Sequence, residues 1–106
     1  MRDSADALLQ AFARSDLETI RGLTAPDLLL VGTDRDEVWH GRDTVLAAFP
    51  DAYDLRVRWL TDPIAGDDWL FGVCAFSDKA GVETPARVTM VFRDGLLSHA
   101  HYSVAQ

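Results

Sequence analysis

The chain has 106 residues, 48% of them hydrophobic and 25% charged, a balance that supports one ordinary packed core and excludes a disordered or low-complexity polypeptide. Ten Lys and Arg stand against 17 Asp and Glu, a formal net charge of -7 that repels phosphate backbones and anionic headgroups, so neither nucleic acid nor a membrane is an expected partner. Cys74 is the single cysteine, which excludes an intrachain disulfide. The first residues lack the basic and apolar regions of a secretory signal, and no apolar run approaches the roughly 20 residues of a membrane span, so one cytoplasmic domain over residues 1–106 is the expectation.

Ala5, Leu8, Leu9 and Phe12 recur at i, i+3, i+4 and i+7, which predicts a short helix with one apolar stripe, capped by Asp3 or Ser4. Ser15-Asp16-Leu17-Glu18 has the form of a capping box and predicts a second short helix that ends before Pro26. A strand is expected over residues 27–33 and an exposed polar turn over residues 33–37, whose Asp34, Asp36 and Glu37 read as solvated. A third helix is expected from about 41 to 49, with Val45, Leu46 and Phe49 inward and Pro50 as its stop. Beyond Asp54 the period becomes two: Leu55, Val57 and Trp59 alternate with Arg56, Arg58 and Leu60. Further strands are expected over residues 69–76, 82–92 and 96–104, with turns at 77–81 and 93–95. Helices at one end of the chain followed by an antiparallel meander give an α+β fold, not a doubly wound parallel sheet.

The run Val31-Gly32-Thr33-Asp34-Arg35-Asp36-Glu37-Val38-Trp39-His40-Gly41-Arg42-Asp43 resembles the strand, acidic turn and helix start of SnoaL-like domains of the nuclear transport factor 2-like superfamily. Arg87-Val88-Thr89 and His99-Ala100-His101-Tyr102-Ser103 are similar to that family's last two strands, and also to the hub domain of calcium/calmodulin-dependent protein kinase. The resemblance implies a cone-shaped, curved antiparallel sheet wrapped on the helices, a pocket between them, and a homodimer through the convex face of the sheet.

The clearest polar constellation lies on the last two strands, where Arg87 and Thr89 share one face and His99, His101 and Ser103 share another. A three-residue loop at Arg93-Asp94-Gly95 would set Thr89 opposite His99 and Arg87 opposite His101. A two-residue Asp94-Gly95 turn would shift the register by one and seat the histidines beside Val88 and Met90. Patterning favours the three-residue loop, which alone collects Val88, Met90, Phe92, Leu96, Ala100, Tyr102 and Val104 on one apolar face. The polar face is then expected to line the pocket and the apolar face to pack in a dimer.

In such a pocket the Arg87 guanidinium could fork to a carboxylate or other anion, with Thr89, His99, His101 and Ser103 as further polar groups and Trp39 as an aromatic wall. A neutral imidazole near physiological pH could serve as general base, which makes His99 or His101 the candidate, with His101 put first. His99 and His101 project the same way, but two ligands do not make a metal site and a third would have to be His40 or a carboxylate, so neither metal nor cofactor is expected. Cys74, inside an apolar run, reads as a buried thiol. Three functions stay open: binding of a small anionic or polar-aromatic ligand in a dimer, a small-molecule enzyme such as an isomerase, cyclase or hydrolase, and a pocketless dimeric interaction domain.

Overall fold

The apolar stripe near the N-terminus forms α1 (Arg2–Arg14), which buries Ala5, Leu8, Leu9, Ala11 and Ala13. The computed structural model describes residues 1–48 and 54–104, so the expectations for Phe49 and Pro50 lie outside the described residues. Met1, rather than Asp3 or Ser4, occupies the N-cap position of α1, and no side chain caps it. Ser15 closes α1 in the left-handed region at φ 54°, and the Asp16 N–H donates to the Ala11 carbonyl at 2.9 Å. The cap of α2 (Leu17–Leu23) therefore moves one residue on from the expected box. Asp16 accepts from the Thr19 N–H at 3.3 Å and from its hydroxyl at 2.7 Å.

The strands are β1 (Thr24–Val31), β2 (Val38–His40), β3 (Arg56–Trp59), β4 (Ile64–Ala65), β5 (Trp69–Ser77), β6 (Glu83–Arg93) and β7 (Leu96–Val104), with α3 (Arg42–Ala48) between β2 and β3. They form one curved sheet in the order β2-β1-β7-β6-β5-β3, with β4 pairing to β5. The antiparallel meander holds for β5, β6 and β7, but β1 lies parallel to β7 and makes the sheet mixed. A parallel neighbour needs a long crossover, and the chain between β1 and β7 supplies it. The short strands β2 and β4 carry too few residues to show a period of two in the sequence.

Alternation divides the sheet into two unlike faces. Leu28, Leu30, Leu70, Val88, Met90 and Ala100 join Leu8 and Leu9 of α1 in the main core, and Ala11, Ile20 and Leu46 form a smaller one beside it. Val45 and Leu46 of α3 point inward as expected.

The β6–β7 hairpin departs from the expected loop yet keeps the expected faces. Arg93 pairs with Leu96, and Asp94 and Gly95 both have positive φ, 55° and 79°, so the turn is the two-residue form. Phe92 then pairs with Leu97 and Val91 with His99, which leaves Ser98 as an extra residue in a bulge; its hydroxyl donates to the Val91 carbonyl at 3.1 Å. The bulge reverses the parity shift of the turn. Beyond it Thr89 meets His101, Arg87 meets Ser103, and Val88, Met90, Ala100 and Tyr102 share the inner face. Leu97, not Leu96, takes the inner position next to Phe92.

Trp59 fixes α1 to β3 by donating its indole N–H to Asp6 Oδ1 at 2.7 Å. The ring lies over Gly72, where an added Cβ would stand 2.5 Å from Trp59 Cζ3 and 3.1 Å from Pro63 Cβ. Gly72→Ala is expected to push the indole off Asp6 and destabilise the fold by about 1–3 kcal/mol, the usual range for overpacking. Urea unfolding followed by tryptophan emission measures both effects.

Candidate functional site

Between α1 and the inner sheet face the core does not close, and a cavity of about 590 Å³ remains. Leu9 and Phe12 of α1 form one wall, and Leu30, Trp39, Val88, Met90, Ala100 and Val104 of the sheet form the other. The exposed Asp78, Val82 and Thr84 lie on its rim. A second hollow of about 240 Å³ lies between α1 and β3, but there Asp6 and Gln10 are already bonded to the Trp59 indole and the Val57 carbonyl.

The chemistry of the larger cavity is concentrated in one pair. Glu37 and Tyr102 both line it, and the Tyr102 hydroxyl donates to Glu37 Oε2 at 3.0 Å. The other carboxylate oxygen, Oε1, accepts the Asp34 N–H at 2.9 Å. Backbone bonds from Gly32 N–H to the Glu37 carbonyl at 2.7 Å, and from Glu37 N–H to the Asp34 carbonyl at 2.9 Å, tie the turn down. Tyr102 reaches this turn by crossing β1 above Gly32, where a Cβ would meet the tyrosine oxygen at 2.8 Å and Glu37 Cβ at 2.7 Å. Only glycine leaves that passage open. Glu37 is thus half-buried and faces the cavity, a correction to its reading as part of a solvated acidic turn. Two signals pointed to it: a glycine at the end of a strand, and a tyrosine hydroxyl on an otherwise apolar face, which needs a partner when buried.

The five polar residues expected on the last two strands do come together, but on the outer face. Arg87, His99 and His101 are exposed there, and Thr89 and Ser103 are half-buried. The expected orientation of the two faces is therefore inverted: the apolar face lines the cavity, and the polar face lies on the other side of the sheet. The stripe of α1 is the physical reason, because it can cover only an apolar face. His101 borders the cavity between Ala100 and Tyr102, but alternation sends its side chain outward beside Thr89, so its main chain supplies that border. Trp39 is half-buried on the inner face opposite Leu30 and lines the cavity wall.

Among the described residues the cavity lining holds two carboxylates, Glu37 and Asp78, and no Lys or Arg. Asp78 is turned into its own loop, accepting the N–H groups of Ala80 and Val82 at 2.9 and 3.0 Å. On the outer face Arg58 forks to Glu83 at 2.8 and 2.9 Å, a pairing that lowers the Glu83 carboxyl below its ordinary range. Among the described residues no three of His, Cys, Asp and Glu converge as a metal site requires, and no helix is long and apolar enough to cross a membrane. Cys74 is fully buried on the inner face, and burial pushes its thiol up to about 11.

A family model described as a SnoaL-like domain matches residues 2–105. Among solved structures, a proposed ketosteroid isomerase from Kribbella flavida is similar at 17% identity and TM-score 0.79, covering 99% of this chain and 77% of that one. A proposed isomerase of the SnoaL-like family from Agrobacterium tumefaciens matches at 13% identity and TM-score 0.78, over 98% of this chain and 96% of that one. The polyketide cyclase proposed from Streptomyces antibioticus, IdmH, matches at 22% identity and TM-score 0.71, over 97% and 90%. No curated protein matches the sequence. Identities this low carry the fold and leave the reaction to the site.

The Cys74 thiol sets a pH limit on stability. Its folded value, about 11, lies above the ordinary 9.0, so the folded state favours the neutral thiol. That contribution is complete below 9.0 and is lost as pH rises towards 11. Stability by urea titration is expected to fall over that interval in the native chain and to fall less in Cys74→Ala. A thiol reagent at neutral pH should label Cys74 only after unfolding.

Proposed function

This chain belongs to the family of SnoaL-like domains, and from that premise we propose that it binds a small organic molecule in the cavity between α1 and the inner sheet face. The observation that carries this reading is the cavity itself. Its volume, about 590 Å³, lies within the roughly 300–1,000 Å³ of small-molecule sites, and apolar walls with a few polar groups at one end are the usual composition of such sites. Trp39 serves as an aromatic wall, and Glu37 with Tyr102 orients the ligand. Structural neighbours proposed to be a ketosteroid isomerase and a polyketide cyclase, both names for enzymes of small organic substrates, support the class. A pocketless interaction domain would have no use for a cavity of this size.

The Glu37–Tyr102 pair favours a second reading, in which the bound molecule also reacts. A carboxylate in an apolar cavity, hydrogen-bonded to a tyrosine, can accept a proton from a ligand within about 3 Å. In that reading Glu37 takes the place considered for His101. The two readings part on turnover: product formed from a bound ketone or polyketide-like ester, and lost in Glu37→Gln, would establish the enzyme.

Assembly as a homodimer belongs to the same proposal and uses the outer face. Leu29, Val31, Val73 and Val91 lie half-buried there, interleaved with Arg87, His99 and His101. These residues replace the Val88 and Met90 face, which the core already occupies.

Ala100→Phe, which adds a ring inside the cavity, is expected to lower the affinity for a neutral fluorescent probe such as N-phenyl-1-naphthylamine about tenfold or more, because the new ring takes the probe's volume. Fluorescence titration measures it, with circular dichroism as the check that the variant folds. Unchanged affinity would remove the cavity as the site. Val73→Asp is expected to convert a dimer to a monomer in sedimentation equilibrium while leaving probe binding intact. A native chain that sediments as a monomer at micromolar concentration would end the dimer proposal.

A further inference from the structure

We infer that the ligand of this cavity is an organic cation, a protonated amine carried on an apolar, ring-sized body, with the amine seated against Glu37. This deepens the proposed function and rests on its cavity. Three observations carry it. First, Glu37 is a half-buried carboxylate on the cavity wall, and among the described residues no Lys, Arg or His forms an ion pair with it. Its two bonds come from neutral donors, the Tyr102 hydroxyl and the Asp34 N–H. A carboxylate partly withdrawn from water gains most from a cation, and here the described residues supply none.

Second, the carboxylate is held in place with capacity to spare. Its two oxygens offer about four acceptor positions, and the bonds from Tyr102 and Asp34 fill one on each oxygen. The passage over Gly32 and the backbone bonds of the turn fix the group, so a ligand finds it already oriented. Third, the rest of the lining selects against the opposite charge. Among the described residues the other acid on the rim is Asp78 and no Lys or Arg lines the cavity, and Arg87, the group expected to receive an anion, is on the far side of the sheet. An anionic ligand would bring its charge into an apolar cavity beside a carboxylate with nothing to balance it. The apolar body of a cationic ligand would meet Trp39, Met90 and Ala100, and the indole face adds a favourable surface for the charge if the amine lies near it.

The test uses one ring system with three head groups: 1-naphthylmethylamine, 1-naphthalenemethanol and 1-naphthoate, titrated against the whole chain at pH 7 and 0.15 M salt. The amine is expected to bind about tenfold more tightly than the alcohol, as a charge-assisted hydrogen bond allows, and the carboxylate most weakly. Glu37→Gln is expected to bring amine and alcohol within about twofold of each other, chiefly by weakening the amine, because the side-chain amide keeps the shape and loses the charge. Tyr102→Phe controls for the hydroxyl and should preserve the order of the three probes. If the amine keeps its advantage in Glu37→Gln, the preference belongs to the overall negative charge of the chain and the inference is wrong. Equal binding of all three, or strongest binding of the carboxylate, also overturns it while leaving the cavity as a binding site. Failure of all three probes and of N-phenyl-1-naphthylamine would overturn the cavity reading as well.

Discussion

The apolar stripe of α1 has to be covered, and the inner side of this molecule is arranged around that requirement. Leu8 and Leu9 find cover in the face built from Leu28, Leu30, Leu70, Val88, Met90 and Ala100. A polar sheet face would leave those leucines beside unpaired polar groups, so the face that carries Arg87, His99 and His101 is driven outward. The curved sheet and the helix do not meet along the whole face. Where they part, the space lined by Leu30, Trp39, Phe76, Val88, Met90 and Ala100 is the cavity.

Three local devices let the sheet satisfy that requirement. The bulge at Ser98 reconciles two incompatible instructions, since Asp94-Gly95 asks for a two-residue turn and the hydrophobic pattern asks for a register that this turn alone would break. Gly72 lets the Trp59 ring settle on β5 and reach Asp6, which joins β3 to α1. Gly32 lets Tyr102 cross β1 to Glu37. In each case the missing or extra atoms decide where a functional or anchoring side chain can lie.

The chemistry of the cavity follows from how few polar groups enter it. A carboxylate and a phenol that bond to each other at 3.0 Å, amid aliphatic and aromatic walls, form one fixed polar end in an otherwise apolar cavity. The same end can hold a cationic head group or receive a proton. In the proposed functions, binding and catalysis would draw on this one pair of residues. The outer face is chemically independent, with its own cations and its own half-buried valines. A partner can be held there without disturbing the cavity.

The sequence by itself determined the α+β class, two helices ahead of the first strand and a third ahead of the meander, the last hairpin and the grouping of Arg87, Thr89, His99, His101 and Ser103 on one face, because hydrophobic period and alternation are local properties of the chain. It also carried the family resemblance, through the acidic turn and the last two strands. Periodicity cannot say which of two faces a helix will cover, since that depends on elements far apart in the chain, and so the polar face was expected inside when it lies outside. Nor could it foresee that a bulge at one serine would reconcile the turn with the pattern, or that β1 would run parallel to β7. Glu37 read as solvated because its neighbours Asp34, Arg35 and Asp36 are exposed. Only the tertiary structure brings Tyr102, 65 residues on, over Gly32 to meet it. A hydrogen bond across that distance leaves no period in the sequence, only a glycine and a tyrosine that each lack an evident local reason.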